Sequence, residues 1–302
     1  MAMKKIPQKA LLAYFSGTGC TKAVCDCFAE RLRQAGIDCR AVDMAACRQA
    51  APGEADTLMI FSPVYACRLA SLAEKWVKGL PAVKDKSAVI ISVSGGGEVS
   101  PNTACRAYCK RLLKRKGYDL LYEKMIVMPS NFATQAEEAL NLSLLAILPH
   151  KAEQIITDIL AGRRSVTVPK FQDRLLAKIG VLEHFGARIF GAFIQASQDC
   201  SGCGRCVQNC PEKNIRLINK RPKFGFRCLY CLNCIYHCPC RALSPGVMKF
   251  SVLKSGFDLE KMREKAAAGS VKLGCRPDRN FLWQGVLDYL YADQALDEGP
   301  PG

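Results

Sequence analysis

Short apolar runs alternate with stretches of helical periodicity through the first half of the chain. Residues 10–15, 37–42, 57–61, 87–93 and 120–128 are apolar and β-rich, of a length that suits buried strands. Residues 21–35, 69–79, 103–116 and 151–161 instead space their apolar positions as helices do. Strands separated by helices predict βαβ units, hence an α/β fold with a doubly wound five-stranded parallel sheet and right-handed crossovers. This domain is expected over residues 1–165.

Leu175, Leu176, Ile179, Leu182, Phe185, Ile189, Phe190 and Phe193 fall near helical spacing further on, interrupted by Lys178, Glu183, His184 and Arg188. So many charges exclude a membrane span. Residues 166–198 therefore read as an amphipathic linker helix packing one domain on another, with peripheral contact at a membrane surface as the alternative. At the N-terminus, the apolar run after Lys9 is too short for a signal peptide, which predicts a cytoplasmic chain with reduced thiols. Beyond residue 240 the pattern weakens; residues 247–302 form a C-terminal extension whose last six residues read as frayed.

Composition adds two facts to this outline. Among 302 residues there are 18 cysteines, and the formal charge is +16. Eight cysteines lie between Cys200 and Cys238. Cys200, Cys203, Cys206 and Cys210 precede Pro211, and Cys228, Cys231, Cys234 and Cys238 precede Pro239, so C-x2-C-x2-C-x3-C-P occurs twice. Three thiolates at this spacing wrap one iron-sulfur cube while the fourth reaches the other cube. One [4Fe-4S] cluster is thus expected on Cys200, Cys203, Cys206 and Cys238, the other on Cys228, Cys231, Cys234 and Cys210. Zinc ribbons use two separated CxxC pairs, a different pattern. The block over residues 199–246 resembles a bacterial two-cluster ferredoxin, a small α+β domain. Gly202 and Gly204 let backbone amides approach the sulfurs. Tyr230, Tyr236 and His237 are expected to pack beside the clusters.

The loop Ser16-Gly17-Thr18-Gly19-Cys20-Thr21 ends the first strand and opens the first helix. A helix N-terminus favours an anion. The spacing is not that of a Walker A loop, and Lys22 stands where a dinucleotide fingerprint needs glycine. What remains is a hydroxyl-rich loop suited to a phosphate monoester. It resembles the phosphate-binding loop of flavodoxins, as the strand and helix order resembles their fold. That resemblance implies FMN. It also implies that Ser62, Pro63, Val64, Tyr65 and Ala66, after the third strand, and Ser94, Gly95, Gly96 and Gly97, after the fourth, flank the flavin ring. Flavodoxins often place an aromatic residue in the latter loop; a glycine run here leaves one ring face open to an aromatic from elsewhere or to a reaction partner. Asn131 and Phe132, after the fifth strand, are candidates for that contact.

Six remaining cysteines, Cys25, Cys27, Cys39, Cys47, Cys105 and Cys109, read as small buried hydrophobes. Cys20 and Cys67 sit in the flavin loops; Cys240 and Cys275 have no assigned role.

Taken together, the chain resembles the flavodoxin-ferredoxin fusion proteins of anaerobic prokaryotes. The resemblance implies electron transfer between FMN, two [4Fe-4S] clusters and an external carrier. A flavin-dependent reductase of a small substrate and a redox-sensing interaction protein without FMN are the alternatives. The charge excess is +9 over residues 1–130 and +7 over residues 200–302. Part of it is expected to offset cofactor charge, and the rest favours an acidic redox protein such as a ferredoxin or flavodoxin. Without a recognised binding motif, nucleic acid is not expected.

Overall fold

The computed structural model describes residues 6–49, 52–269 and 282–292. Cys275 and the terminal residues 297–302 lie outside them. The first domain runs β1 (Lys9–Tyr14), α1 (Cys20–Gln34), β2 (Asp38–Asp43), β3 (Thr57–Tyr65), β4 (Arg68–Leu69), α2 (Ser71–Gly79), β5 (Lys86–Ser94), α3 (Ala107–Arg115), β6 (Tyr118–Val127) and α4 (Glu138–Leu160). Five strands pair in parallel in the order β2-β1-β3-β5-β6, the flavodoxin-like doubly wound arrangement. Alternate residues of the buried strands point to opposite faces. Leu12, Phe61 and Ile91 pack with Val24, Phe28 and Ile155 beneath α1 and α4. Leu11, Ile60 and Ile90 pack with Trp76 and Leu113 beneath α2 and α3.

Two elements are longer than their sequence pattern predicts. Where residues 57–61 read as the third strand, β3 continues to Tyr65, because Val64 and Tyr65 pair antiparallel with Leu69 and Arg68 of β4. The last helix of the domain starts at Glu138 rather than near residue 151. Its first half is apolar nearly all round and so lacks a clear period. Both sides are covered: Leu148 faces the sheet core, while Leu144 packs with Val286, Leu287 and Leu290.

The remaining elements are α5 (Phe171–Ala192), β7 (Gln195–Ala196), α6 (Arg205–Gln208), β8 (Ile215–Ile218), β9 (Arg221–Phe224), α7 (Asn233–Tyr236), β10 (Leu243–Ser244), α8 (Leu259–Ala268) and α9 (Gln284–Tyr291). The small cysteine-rich domain pairs β7 with β10 and β8 with β9, with α6 and α7 as its two short helices. Its contacts with the first domain include Arg48 and Lys75 on Glu212 (3.4 and 3.5 Å) and Tyr236 Oη donating to the Asn131 carbonyl (2.7 Å).

Helix α5 packs differently from the expectation of an apolar face against a domain. Its inward side is small and polar. The Asp173 carboxylate accepts from the hydroxyls of Ser100 (2.6 Å) and Thr103, which hold its pKa below the usual carboxylate value. Arg68 donates to the Ala177 carbonyl, and Gly180 lies against the Ala66 carbonyl. Among its described side chains Phe171, Leu175, Leu176, Phe185, Ile189 and Phe190 stay exposed. Among the remaining cysteines Cys25, Cys105 and Cys109 are buried as expected, but Cys47 is exposed, since β2 is an edge strand and the loop after it runs on the surface.

Candidate functional site

The carboxyl ends of β1, β3, β5 and β6 converge on a cavity of about 560 Å³. Ser16, Gly17, Thr18, Cys20 and Thr21 form its floor at the start of α1. The Ser16 hydroxyl accepts from the Gly19 amide (3.1 Å) and the Thr18 hydroxyl from Asn131 Nδ2 (2.6 Å), so each O–H remains to donate into the cavity. Amides of the first turn of α1 have no intrahelical partner and favour an anion. No Lys, Arg or His lines the wall among the described residues. A phosphate there would be met by amides and hydroxyls rather than by a basic side chain of the lining.

The walls are largely apolar. Pro63, Val64, Tyr65 and Ala66 line one side, Ser94, Gly95 and Gly96 another, and Ser130, Asn131 and Phe132 a third. Gly95 is required where two loops touch, since a Cβ there would stand 2.7 Å from Ser130 Cβ. Beneath the glycine run, buried Arg106 donates to Ser92 Oγ (2.8 Å) and pairs with Glu98 and Glu123, fixing the loop from below. Three expected contacts fall outside the cavity. Ser62 is fully buried and its hydroxyl accepts from the Ala70 amide, serving the β3–β4 hairpin. Gly19 faces Leu259, and Gly97 is packed against the Gly285 backbone.

Residues not anticipated from the sequence complete the enclosure. Gly186, Ala187 and Phe190 come from α5, Leu229 to Leu232 from the cysteine-rich domain, and Leu282 and Trp283 from the segment entering α9. Gly285 packs on Gly96 and Gly97, and Trp283, two residues before it, lines the same cavity as Gly95 and Gly96. Phe132, the candidate after the fifth strand, and Trp283, from elsewhere in the chain, both line the cavity. Only the glycine run signalled the latter; nothing local to residue 283 did. Tyr230, expected only to pack beside a cluster, also lines this cavity. Its neighbour Tyr65 is edge-on to Phe15 at 6.5 Å, and burial pushes its phenol well above the usual value.

The eight cysteines of the repeated motif gather as two quartets. Cys200, Cys203, Cys206 and Cys238 ring one void, together with Cys240. Cys210, Cys228, Cys231 and Cys234 ring the other. This crosswise sharing is what a cube with three ligands from one motif and one from the other requires. Backbone amides point at the sulfurs: Asn214 to Cys210 (3.3 Å), Tyr230 to Cys228 (3.3 Å) and Ala242 to Cys238 (3.4 Å). The quartets differ in surroundings. Amide bonding, first from Arg205, lowers the pKa of exposed Cys203, whereas burial pushes Cys228 up to about 11 and Cys231 up to about 12. Metal coordination supplies the positive charge that stabilises thiolates in such a setting.

Residues 11–138 match the family described as flavodoxin domain, and residues 192–239 match the 4Fe-4S dicluster domain. The chain joins a flavodoxin domain to a dicluster ferredoxin domain. FMN and two [4Fe-4S] clusters are the cofactors of such domains, and the fusion is an electron-transfer flavo-iron-sulfur protein. Hydroxyls and first-turn amides on the cavity floor fit a phosphate monoester, the apolar and aromatic walls fit a flavin ring, and the thiol quartets fit cubes.

Solved structures similar to this fusion each align with about half of it. A flavodoxin of Streptococcus pneumoniae TIGR4 is 18% identical, over 51% of this chain and 98% of its own, with a TM-score of 0.37. The NAD(P)H:quinone oxidoreductase from Methanothermobacter marburgensis is 14% identical, over 50% and 95%, with a TM-score of 0.40. Rubredoxin oxygen:oxidoreductase from Desulfovibrio gigas is 16% identical, over 53% and 38%, with a TM-score of 0.36. No curated protein matches the chain.

Proposed function

We propose that the chain relays electrons between its flavin cavity, the Cys210/Cys228/Cys231/Cys234 quartet, the Cys200/Cys203/Cys206/Cys238 quartet and an acidic redox protein outside. FMN exchanges electrons singly or in pairs and each cluster one at a time, which lets a fusion of the two match carriers of different stoichiometry. One observation carries the order. Leu229, Tyr230, Cys231 and Leu232 line both the flavin cavity and the void of the second quartet. The Cys231 carbonyl would meet a Cβ placed on Gly17 at 2.9 Å, so the phosphate loop and the ligand loop touch. The first quartet is the outer one. Leu217 and Pro222 of the β8–β9 hairpin line its void, and the same hairpin exposes Arg216, Lys220 and Lys223, with Arg205 and Arg241 exposed beside Cys206 and Cys240.

In this reading Ser16, Thr18 and Thr21 hold the phosphate with the amides of α1, while Tyr65, Tyr230 and Trp283 enclose the ring. The basic collar steers an acidic ferredoxin or flavodoxin to the outer quartet. A reducing compartment such as the cytoplasm suits the thiols. No helix among the described residues is long and apolar enough to cross a membrane. Anaerobic purification followed by iron, sulfide and flavin quantitation is expected to give about eight irons and one FMN per chain. Reduction of an acidic ferredoxin is expected to slow as salt rises and to slow further in Lys220→Glu/Lys223→Glu. Salt-independent rates would overturn the collar, and zinc in place of iron would overturn the relay.

A further inference from the structure

Exposed apolar side chains concentrate on α5. Phe171 (81% exposed), Leu175, Phe185 (60%) and Ile189 fall within an arc of about 80° on a helix turning 100° per residue, a ridge about 30 Å long with exposed Phe193 just past its C-terminal end. The opposite side of the helix is committed. Asp173 is hydrogen-bonded to Ser100, Gly180 lies on the Ala66 carbonyl, and Gly191 abuts Cys228. Rotating the helix to bury the ridge would break all three contacts. Lys178 lies in the same arc between Leu175 and Phe185, so apolar clusters flank an exposed cation, and exposed apolar surface of this kind marks an interaction site.

Charge and shape select the occupant. Exposed Lys170, Arg174, Lys178 and Arg188 accompany the ridge, whereas the acidic residues of α5 are Asp173, held inward, and Glu183. A second copy of this chain would set like charges against each other. An acidic protein would need a groove to accept a convex rod. A bilayer accepts one lengthwise, with Phe and Leu at the acyl boundary and Lys and Arg among anionic headgroups. We propose that α5 seats the protein on an anionic lipid surface, lying along it. Gly186, Ala187 and Phe190 of the same helix line the flavin cavity, so seating brings that wall close to the bilayer.

The anaerobically purified holoprotein, sedimented with vesicles, tests this. Binding is expected with phosphatidylcholine–phosphatidylglycerol vesicles and not with phosphatidylcholine alone. Phe171→Ser/Phe185→Ser should weaken it roughly tenfold or more, each ring supplying a large share of the buried apolar area. Arg174→Gln/Lys178→Gln should weaken it by a smaller factor that high salt reproduces. FMN and iron content, unchanged in both variants, reports intact folding. Absence of sedimentation, or wild-type binding by the Phe171→Ser/Phe185→Ser variant, overturns the proposal. So does a dimer, or a complex with an acidic protein, that the same variant dissolves without any vesicle binding.

Discussion

In the first cysteine motif the two left-handed positions are Gly202 (φ 68°) and Gly204 (φ 76°); in the second, the corresponding positions hold Tyr230 (φ 54°) and Leu232 (φ 60°). Lys213 (φ 49°) and Arg241 (φ 48°) also correspond, as do the amides of Asn214 and Ala242 on Cys210 and Cys238. The backbone therefore repeats faithfully, and the side chains do not. A left-handed conformation costs an L-residue with a Cβ about 1 kcal/mol, a cost glycine avoids. The second motif bears it because its side chains have work outside the cluster: Tyr230 lines the cavity and hydrogen-bonds Ser251 (2.9 Å), and Leu232, 3% exposed, packs with Ile194, Ile235 and Leu243 in the core of the cysteine-rich domain and lines the same cavity. The two halves of the repeat differ in surroundings: the first lies at the surface, the second against the cavity at the ends of the parallel strands.

The sharpest break of this comparison is ligand removal on either side. Cys203→Ala and Cys231→Ala should each lower iron from about eight to about four per chain. Only Cys231→Ala should also lower bound FMN, because its loop presses on Gly17. Equal FMN loss in both would refute the assignment of inner and outer quartets.

Next in size is a pair of glycine substitutions. Gly17→Ala puts a Cβ 2.7 Å from Tyr65 Oη, and FMN affinity measured by titration of the apoprotein should fall by about tenfold or more. Gly204→Ala meets only Leu217 at 3.5 Å, so it should retain both clusters and cost about 1 kcal/mol in thermal unfolding.

Trp283 offers a spectroscopic probe of the flavin side. Besides it, the chain holds only Trp76, buried on α2 with its indole donating to the Cys47 carbonyl (2.9 Å). In a Trp76→Phe background, FMN addition should quench the remaining tryptophan emission, and Trp283→Ala should weaken FMN by a few-fold, about 1 kcal/mol. Unquenched emission would remove Trp283 from the site.

The smallest effect expected is between the clusters themselves. Burial disfavours added charge, so the quartet containing Cys231 should take its electron at a lower potential than the exposed quartet containing Cys203. A redox titration followed by electron paramagnetic resonance should resolve two steps, and Lys220→Gln/Lys223→Gln should lower only the upper one.

Much of the flavodoxin domain was legible because its buried strands and amphipathic helices carry strong periods, and because the loop from Ser16 to Thr21 puts hydroxyls at a helix N-terminus. α4 was half hidden: covered on two sides, residues 138–150 lack the polar stripe that reveals a helix. Ser62 and Gly97 looked like cavity residues from their place after strands, yet one serves a hairpin and the other a glycine contact with α9. Residues 171–192 form a helix, but Phe171, Leu175, Phe185 and Ile189 stay exposed on it, since periodicity reports contrast around a helix but not which side meets the protein.

Sequence alone determined the cofactor chemistry of this protein. Thiol spacing within one loop and hydroxyls beside one helix start are short-range features, set by bond lengths and a few dihedrals. The tertiary structure decided how those parts are connected. That Cys231 backs onto Gly17, that Gly285 packs on Gly96 and Gly97, and that apolar side chains face outward on α5 each depend on residues far apart in the chain meeting through packing, and no local pattern records such meetings.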